Sequence, residues 1–349
     1  MKKDPEFTPI DPSTLAGLIV DDDDEEGAEI EEQPVRVNLK RRSLVSVDDL
    51  SMAEIDHIFA VAKACRDKFD NGGFGVLKPL NGKVITCLFY EASTRTSSSF
   101  IAAATKLGAG VIPITQGVQY SSVSKGETLH DTVRTLAQYS DVIVLRHPDE
   151  GSAAEAALAA AIDHVPLINA GDGIGQHPSQ ALLDLFTIQQ KFGDLNGKRI
   201  GVVGDLKNGR TVHSLLKLLA RFKDITVYMV SPDSLKLPDA FAKGVGKSLA
   251  LKTAKSISDI IGEVDVLYVT RVQKERSGDK SGKIETVDAA LLKDARASMI
   301  LMHPLPRTEE MSKSVDQDKR SVHFDQVKNG LWVRMALLLC AVGAEWELL

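Results

Sequence analysis

From residue 37 onward the chain alternates short apolar runs with longer stretches of helical period, and no other feature limits its fold as tightly. The apolar runs predict strands over 83–90, 110–115, 141–146, 165–169, 199–204, 225–230, 264–270 and 298–302. Between them, helical periodicity runs over 48–69, 94–107, 127–139, 153–162, 178–191, 210–222 and 256–261. Strands without a polar face need cover on both sides, which is the condition of a parallel sheet joined by crossover helices. Eight strands are too many for one half, and the stretch 178–191 falls near the middle. The expectation is therefore an α/β fold of two domains, each a mainly parallel sheet of four to five strands with helices on both faces. No repeat at a solenoid period is visible.

Composition narrows the classes of function. At 349 residues, 43% hydrophobic and 26% charged, the chain has the balance of a globular protein with two cores. The uncharged stretch 335–344 is too short to span a bilayer and the N-terminal residues hold no apolar signal core, so no membrane association and a cytoplasmic location are expected. Cys65, Cys87 and Cys340 lie far apart in apolar patterns, without C-x-x-C or C-H spacing. They are expected to be buried, reduced thiols with neither a disulfide nor zinc. The net charge of −6 is unevenly spread: residues 21–32 hold nine acids and no base, which leaves +3 on the rest. A run of that kind repels itself and buries almost nothing, so residues 1–36 read as a disordered acidic leader. With aromatics at 5% and no basic stripe, nucleic acid is not an expected partner.

In parallel sheets ligands sit at the carboxyl ends of strands, so the residues just past each strand carry the functional signal. After the first strand comes FYEASTRTSSSF, residues 89–100, in which seven of twelve residues bear a hydroxyl around one arginine. Ser93, Thr94, Arg95 and Thr96 open a helix there. Free N–H groups at a helix start, the positive dipole end, hydroxyls and a guanidinium together make a phosphate cradle. An ordinary Ser/Thr cap explains the first two residues but neither Arg95 nor the hydroxyl excess. Arg146 follows the third strand, and His177 and Gln180 follow the fourth. Taken singly, Arg146 reads equally well as a surface charge and His177 as a structural histidine. In the second half GDLKNGRTVHS (204–214), TRVQKER (270–276) and HPLPR (303–307) follow strands, and Arg210 and Arg271 suit a substrate with two carboxylates. Gly201, Gly204 and Gly209 do not fit G-x-G-x-x-G, so a dinucleotide fingerprint is absent.

Together, FYEASTRT, SKGETLHDT, LRHP, GQHPSQALLD, GDLKNGRTVHS, TRVQKER and HPLPR resemble the motifs of the aspartate carbamoyltransferase family, in the family's order, from about residue 38 to the end. RTSSSF and YSSVSKGET look most like the versions in fused eukaryotic pyrimidine-synthesis enzymes. The resemblance implies that carbamoyl phosphate and L-aspartate give N-carbamoyl-L-aspartate and phosphate. It implies a carbamoyl-phosphate-binding domain over 37–186, to which a C-terminal helix over 326–349 returns, and an aspartate-binding domain over 187–325. Carried over by motif, Ser93, Thr94, Arg95 and Thr96 hold the phosphate, while Thr96, Arg146 and His177 face the carbonyl oxygen. Gln180 and the carbonyls of Pro304 and Leu305 orient the carbamoyl NH2. Arg210, Arg271 and Gln273 take the aspartate carboxylates. Lys125, with Ser121, belongs to a loop that reaches into a neighbouring subunit's site, which implies a homotrimer with shared sites, and further fusion to or assembly with other enzymes of the pathway is in keeping with the family.

The implied chemistry asks for no protein nucleophile, and neither metal nor organic cofactor is expected. The substrates bring roughly three to four negative charges, which Arg95, Lys125, Arg146, Arg210 and Arg271 match. Donors aimed at the carbonyl oxygen stabilise its growing charge, phosphate leaves and accepts the amine proton, and His177 polarises without acting as a base. An ornithine carbamoyltransferase would read H-C-L-P where this chain has HPLP, and a non-catalytic member would have lost a cradle or carboxylate residue. The resemblance is weakest over 277–302, which is shorter than usual and lacks aromatic residues, so weaker aspartate binding or altered domain closure is expected there. Glu310 is expected to pair with a domain-closing partner.

Overall fold

The computed structural model describes residues 37–70, 72, 78–115, 122–271 and 284–349. The acidic leader, Ser121, Gln273 and residues 277–283 of the shortened segment lie outside the described residues. Within Val37–Leu349 there are two parallel sheets. The first holds β1 (Val84–Phe89), β2 (Gly110–Ile114), β3 (Val142–His147) and β4 (Leu167–Asp172), in the order β2-β1-β3-β4. The second holds β5 (Arg199–Val203), β6 (Thr226–Val230), β7 (Ala250–Thr253), β8 (Val266–Val269) and β9 (Ile300–Met302), in the order β7-β6-β5-β8-β9. In each sheet the first strand lies inside, so successive crossovers diverge to either side of it. A crevice opens outside the carboxyl ends of the strands where the winding reverses, at β1/β3 and at β5/β8.

Among the described residues the helices are α1 (Met52–Asp70), α2 (Thr94–Lys106), α3 (Leu129–Ala137), α4 (Ser152–Ile162), α5 (Pro178–Phe192), α6 (Arg210–Leu219), α7 (Asp239–Val245) and α8 (His323–Val342). Alternate residues of β3 face opposite cores. Val142 and Val144 join a cluster with α1, α2, α5 and α8, whereas Ile143 and Leu145 pack against α3 and α4. The larger cluster continues through Leu182, Phe186 and Leu215 to the inner face of the second sheet. Its outer face is covered by Ile257, Ile260, Val287 and Met311. Helix α5 is buried along most of its length because it packs on α6 on one side and α8 on another, and α8 packs on α1, α2 and α5.

The eight expected strands are present to within two or three residues at their ends, and a ninth, β7, joins them. Its four residues Ala250-Leu251-Lys252-Thr253 are mostly exposed at a sheet edge, so they never formed an apolar run. Helix α7 was also not expected. The helix expected over 256–261 is instead a set of turns. Ser256 and Asp259 exchange backbone-to-side-chain bonds as a helix start would, but Gly262 follows after one turn, too few residues to propagate a helix. The C-terminal helix begins at His323, earlier than the expected 326, and ends at Gly343 in a left-handed conformation. All three cysteines are buried, and burial pushes the Cys65 and Cys87 thiols up to about 12.

Candidate active site

The two crevices share one cleft, lined from the first sheet by Ser93, Arg95, Thr96, Arg146, His177 and Gln180 and from the second by Arg210 and Arg271, with Pro304 and Leu305 closing one side. Each comes from a strand end or the first residues of a helix. Ser93 is the N-cap of α2, yet its hydroxyl takes no helix N–H, so it is left to face the cleft. Not all the hydroxyls of this segment serve the cradle. Ser97 turns back to the Ser93 carbonyl, Ser99 donates to the Thr96 carbonyl at 3.0 Å while also lining the cleft, and Thr94 is exposed outside the lining. Thr94 can therefore contribute its backbone N–H at the helix start rather than its side chain.

Arg146 and Arg210 are buried, and one carboxylate joins them: Glu91 Oε2 lies 2.9 Å from Arg146 Nη2 and 3.2 Å from Arg210 Nη2. Their other ends are tied to main chain, Arg146 Nη1 donating to the Ala170 carbonyl at 3.1 Å and Arg210 Nη1 to the Gly173 carbonyl at 2.7 Å. Gly171, between those carbonyls, has φ +121°, and a Cβ there would stand 3.0 Å from Arg146 Nη1 and 3.1 Å from Arg210 Cζ. Only glycine admits both guanidiniums. Gly204, at the end of β5, plays a similar part at φ +123°, where a Cβ would meet the Thr270 carbonyl oxygen at 2.2 Å and push β8 and Arg271 away.

Arg95 Nη2 donates to the Leu305 carbonyl at 3.0 Å, and Leu305 is held at φ 58°, a costly conformation for a branched side chain that turns its carbonyl towards the cleft. Arg95 and Arg271, from the two halves, line the same cleft, and partial burial together with the charge of Arg271 lowers the Arg95 pKa. His177 is buried, and burial, with the charges of Arg210, Arg146 and Arg334, holds its imidazole well below the ordinary value. It is neutral at physiological pH, suited to donate one N–H to a developing oxyanion and unsuited to arrive as a cation.

Lys125 ends a short 3-10 turn, Ser122–Lys125, and is exposed away from the cleft of its own chain. Glu310 departs from expectation: it binds within its own segment, Oε1 lying 2.9 Å from His303 Nε2 and Oε2 accepting from Thr308 Oγ1 at 2.6 Å. Those bonds hold its carboxyl at about 2 against the opposing effect of burial. Glu91, Arg334 and Gln326 also line the cleft and were missed in the sequence. Glu91 was inside a recognised motif, and Arg334 was a lone cation in the otherwise apolar run LWVRMALLLC. Among the described residues one group of potential metal ligands occurs, His57, Cys340 and Glu345, and none of the three lines the cleft.

A phosphate-suited helix start, a cluster of arginines and a neutral buried histidine at two sheet edges define an enzyme that joins two anionic substrates. The family models agree in both halves: residues 42–190 match the aspartate/ornithine carbamoyltransferase carbamoyl-P binding domain, and 196–341 the Asp/Orn binding domain. The chain belongs to the aspartate/ornithine carbamoyltransferase family. It is 43% identical to the aspartate carbamoyltransferase catalytic subunit of Thermococcus onnurineus, over 87% of this chain and 98% of that one. It is 43% identical to the multifunctional protein URA2 of Saccharomyces cerevisiae, over 87% of this chain and 14% of that one, so a fused relative stands level with a separate subunit. The solved aspartate transcarbamoylase of Trypanosoma cruzi in complex with carbamoyl aspartate and phosphate superposes with a TM-score of 0.79 at 42% identity, covering 87% of this chain and 96% of that one.

Proposed function

We infer that the chain is an aspartate carbamoyltransferase, transferring the carbamoyl group of carbamoyl phosphate to the amine of L-aspartate in pyrimidine synthesis. The observation that carries this reading is the convergence of Arg95, from the first sheet, and Arg271, from the second, on one cleft that is also lined by a buried His177 whose pKa is held well below the ordinary value. In this reading residues 37–186 bind carbamoyl phosphate and 187–325 bind aspartate, with α8 returning to the first part. Ser93, Arg95, Thr96 and the N–H groups at the start of α2 take the phosphate. Thr96, Arg146 and His177 face the carbonyl oxygen, and Gln180 with the carbonyls of Pro304 and Leu305 accepts from the NH2. Arg210 and Arg271 take the aspartate carboxylates, one of which displaces part of the hold that Glu91 has on Arg210. The neutral amine attacks the carbonyl carbon, charge grows on an oxygen already faced by donors, and the C–O bond to phosphate breaks as phosphate takes the amine proton. An assay of carbamoyl product with aspartate against ornithine tests it. Product with aspartate alone is expected, because a cationic side chain would meet Arg271.

We further propose a trimeric ring with shared sites, in which Lys125, exposed and absent from the lining of its own cleft, serves a neighbour's. Lys125→Ala and Arg210→Ala should each be nearly inactive. Reassembled together from equal amounts, about one quarter of sites should regain native activity, because each mixed ring holds one junction of intact parts. Trimers that reform without recovered activity would return Lys125 to the role of a solvated lysine. The relation to URA2 makes fusion to, or assembly with, other enzymes of the pathway part of this proposal. A cytoplasmic setting is supported by three buried free cysteines read as reduced thiols, and since the pea relative is named chloroplastic, cell fractionation decides it.

A further inference from the structure

We propose that Asp184, which stands behind the cleft wall and does not line it, is a positioning residue that makes the cleft selective for an acyl phosphate bearing an NH2 group. It would do so by fixing the acceptor ends of the groups that receive that NH2. The inference rests on the proposed function and deepens it.

Asp184 lies one turn after Gln180 on α5 and is fully buried. Its Oδ1 accepts from Gln180 Nε2 at 2.9 Å and from Gln326 Nε2, on α8, at 2.6 Å. Its Oδ2 accepts from the Tyr268 hydroxyl, on β8, at 2.7 Å. In its ionised form, which prevails above about pH 7, the Asp184 carboxylate only accepts, whereas a glutamine side chain has a donating end and an accepting end. Asp184 therefore dictates which end of Gln180 faces it: the NH2 turns inward and Oε1 is left for the cleft. The same holds for Gln326, whose Oε1 accepts the His303 N–H at 3.0 Å. His303 leads directly into Pro304 and Leu305, whose carbonyls are the other acceptors assigned to the carbamoyl NH2, and its Nδ1 accepts the Leu305 N–H at 2.8 Å. One carboxylate thus sets an acceptor on one side of the NH2 pocket directly and steadies the acceptors on the other through a single glutamine.

Burying a carboxylate is costly, and here burial pushes the Asp184 pKa up to about 7 even though three hydrogen bonds and the charge of Arg334 oppose the rise. A tie between helices alone would not need an anion at that cost; the orientation of two amides does. With an asparagine in its place, either glutamine could turn its NH2 outward, and a donor would then face the donors of the substrate.

Carbamoyl phosphate and acetyl phosphate differ by NH2 against CH3, so their dissociation constants, measured by calorimetry on the folded protein, isolate this pocket. The native chain should prefer carbamoyl phosphate. Asp184→Asn should lose about ten- to hundredfold of that preference through weaker carbamoyl phosphate binding, with acetyl phosphate changed by no more than about twofold. Gln180→Ala should lose part of the same preference, and the double variant should lose less than the sum of the two single ones, since Asp184 acts through Gln180 on one side of the pocket and through Gln326 on the other. A folded Asp184→Asn protein that keeps the native preference, or binds both ligands equally less well, would overturn the proposal. Should that variant fail to fold, Gln326→Met, which leaves Gln180 held, serves instead: partial loss of the same preference supports the role of Asp184 and uniform weakening refutes it. A native chain that neither prefers carbamoyl phosphate nor carbamoylates aspartate would refute the proposed function and this inference with it. A selective native chain with an indifferent variant would refute the inference alone.

Discussion

The carboxyl edges of the two sheets meet in one cleft but are built differently. At the first edge Thr96, Arg146 and His177 are buried, and Arg146 is tied to main chain. At the second, Arg210 is buried because it reaches across to Glu91 and the Gly173 carbonyl, both on the first-sheet side, and Arg271 is only half-buried. Under the proposed function, the donors for the reacting carbonyl are thus in place before a ligand arrives, whereas the carboxylates of the second substrate would be met by groups gathered from both halves. Preorganised donors need no rearrangement as charge develops, so the first edge should govern turnover and the second affinity.

The sharpest break of that division would come from Arg146. Arg146→Ala should lower kcat by about 100- to 1000-fold with little change in the KM for aspartate, the loss typical of a fixed oxyanion donor. Glu91 would still hold Arg210, so the cleft should keep its shape. A variant with native kcat would remove the first edge from the chemistry. Next in size, Arg95→Ala should reduce kcat by well over tenfold, since a charge-assisted contact to the leaving phosphate is worth about 1.5–3 kcal/mol. Steady-state rates at saturating aspartate decide it. Arg271→Ala tests the other edge: KM for aspartate should rise by about tenfold while calorimetry finds carbamoyl phosphate binding unchanged. Equal losses for both substrates would merge the two edges into one function.

The smallest effect concerns stability. The folded His177 imidazole resists protonation, so as pH falls below about 6.5 the unfolded chain takes up a proton that the native state refuses. Stability present above that pH is lost on the acid side. His177→Gln should flatten the fall in Tm between pH 7 and pH 5 by about 2 °C. An unchanged slope in thermal melts would mean that His177 is not held neutral.

How far these residues could be read from the chain depended on how local their causes are. Ser93, Arg95 and Thr96 were legible because strand and helix periodicity meet at that point, and Arg210 and Arg271 because each follows an apolar run. Within the same segment, local sequence did not distinguish Ser93, which faces the cleft, from Ser97, which bonds back into its helix, because that depends on the direction of each side chain around the first turn. Glu310 misled because its partner, His303, lies seven residues away across a loop whose path no periodicity describes. The exposed edge strand β7 and the single turn near Ser256 escaped for the opposite reasons of too little apolar signal and too much.

Sequence by itself determined the two parallel sheets, the strand ends at which ligands gather and most of the cations brought there, since alternation of apolar runs and the chemistry of helix starts act over a few residues. Only tertiary structure decided which carboxylate holds which cation or amide. Glu91 can bridge Arg146 and Arg210 because β1 lies inside its sheet beside β3 and the second sheet faces that edge. Asp184 can gather Gln180, Tyr268 and Gln326 because α5 is packed between the two halves and α8 returns against it. Apart from Gln180, one turn away from Asp184 on the same helix, such partners lie far apart in the chain, and strand order and helix packing, not local pattern, set the few ångströms within which a hydrogen bond forms.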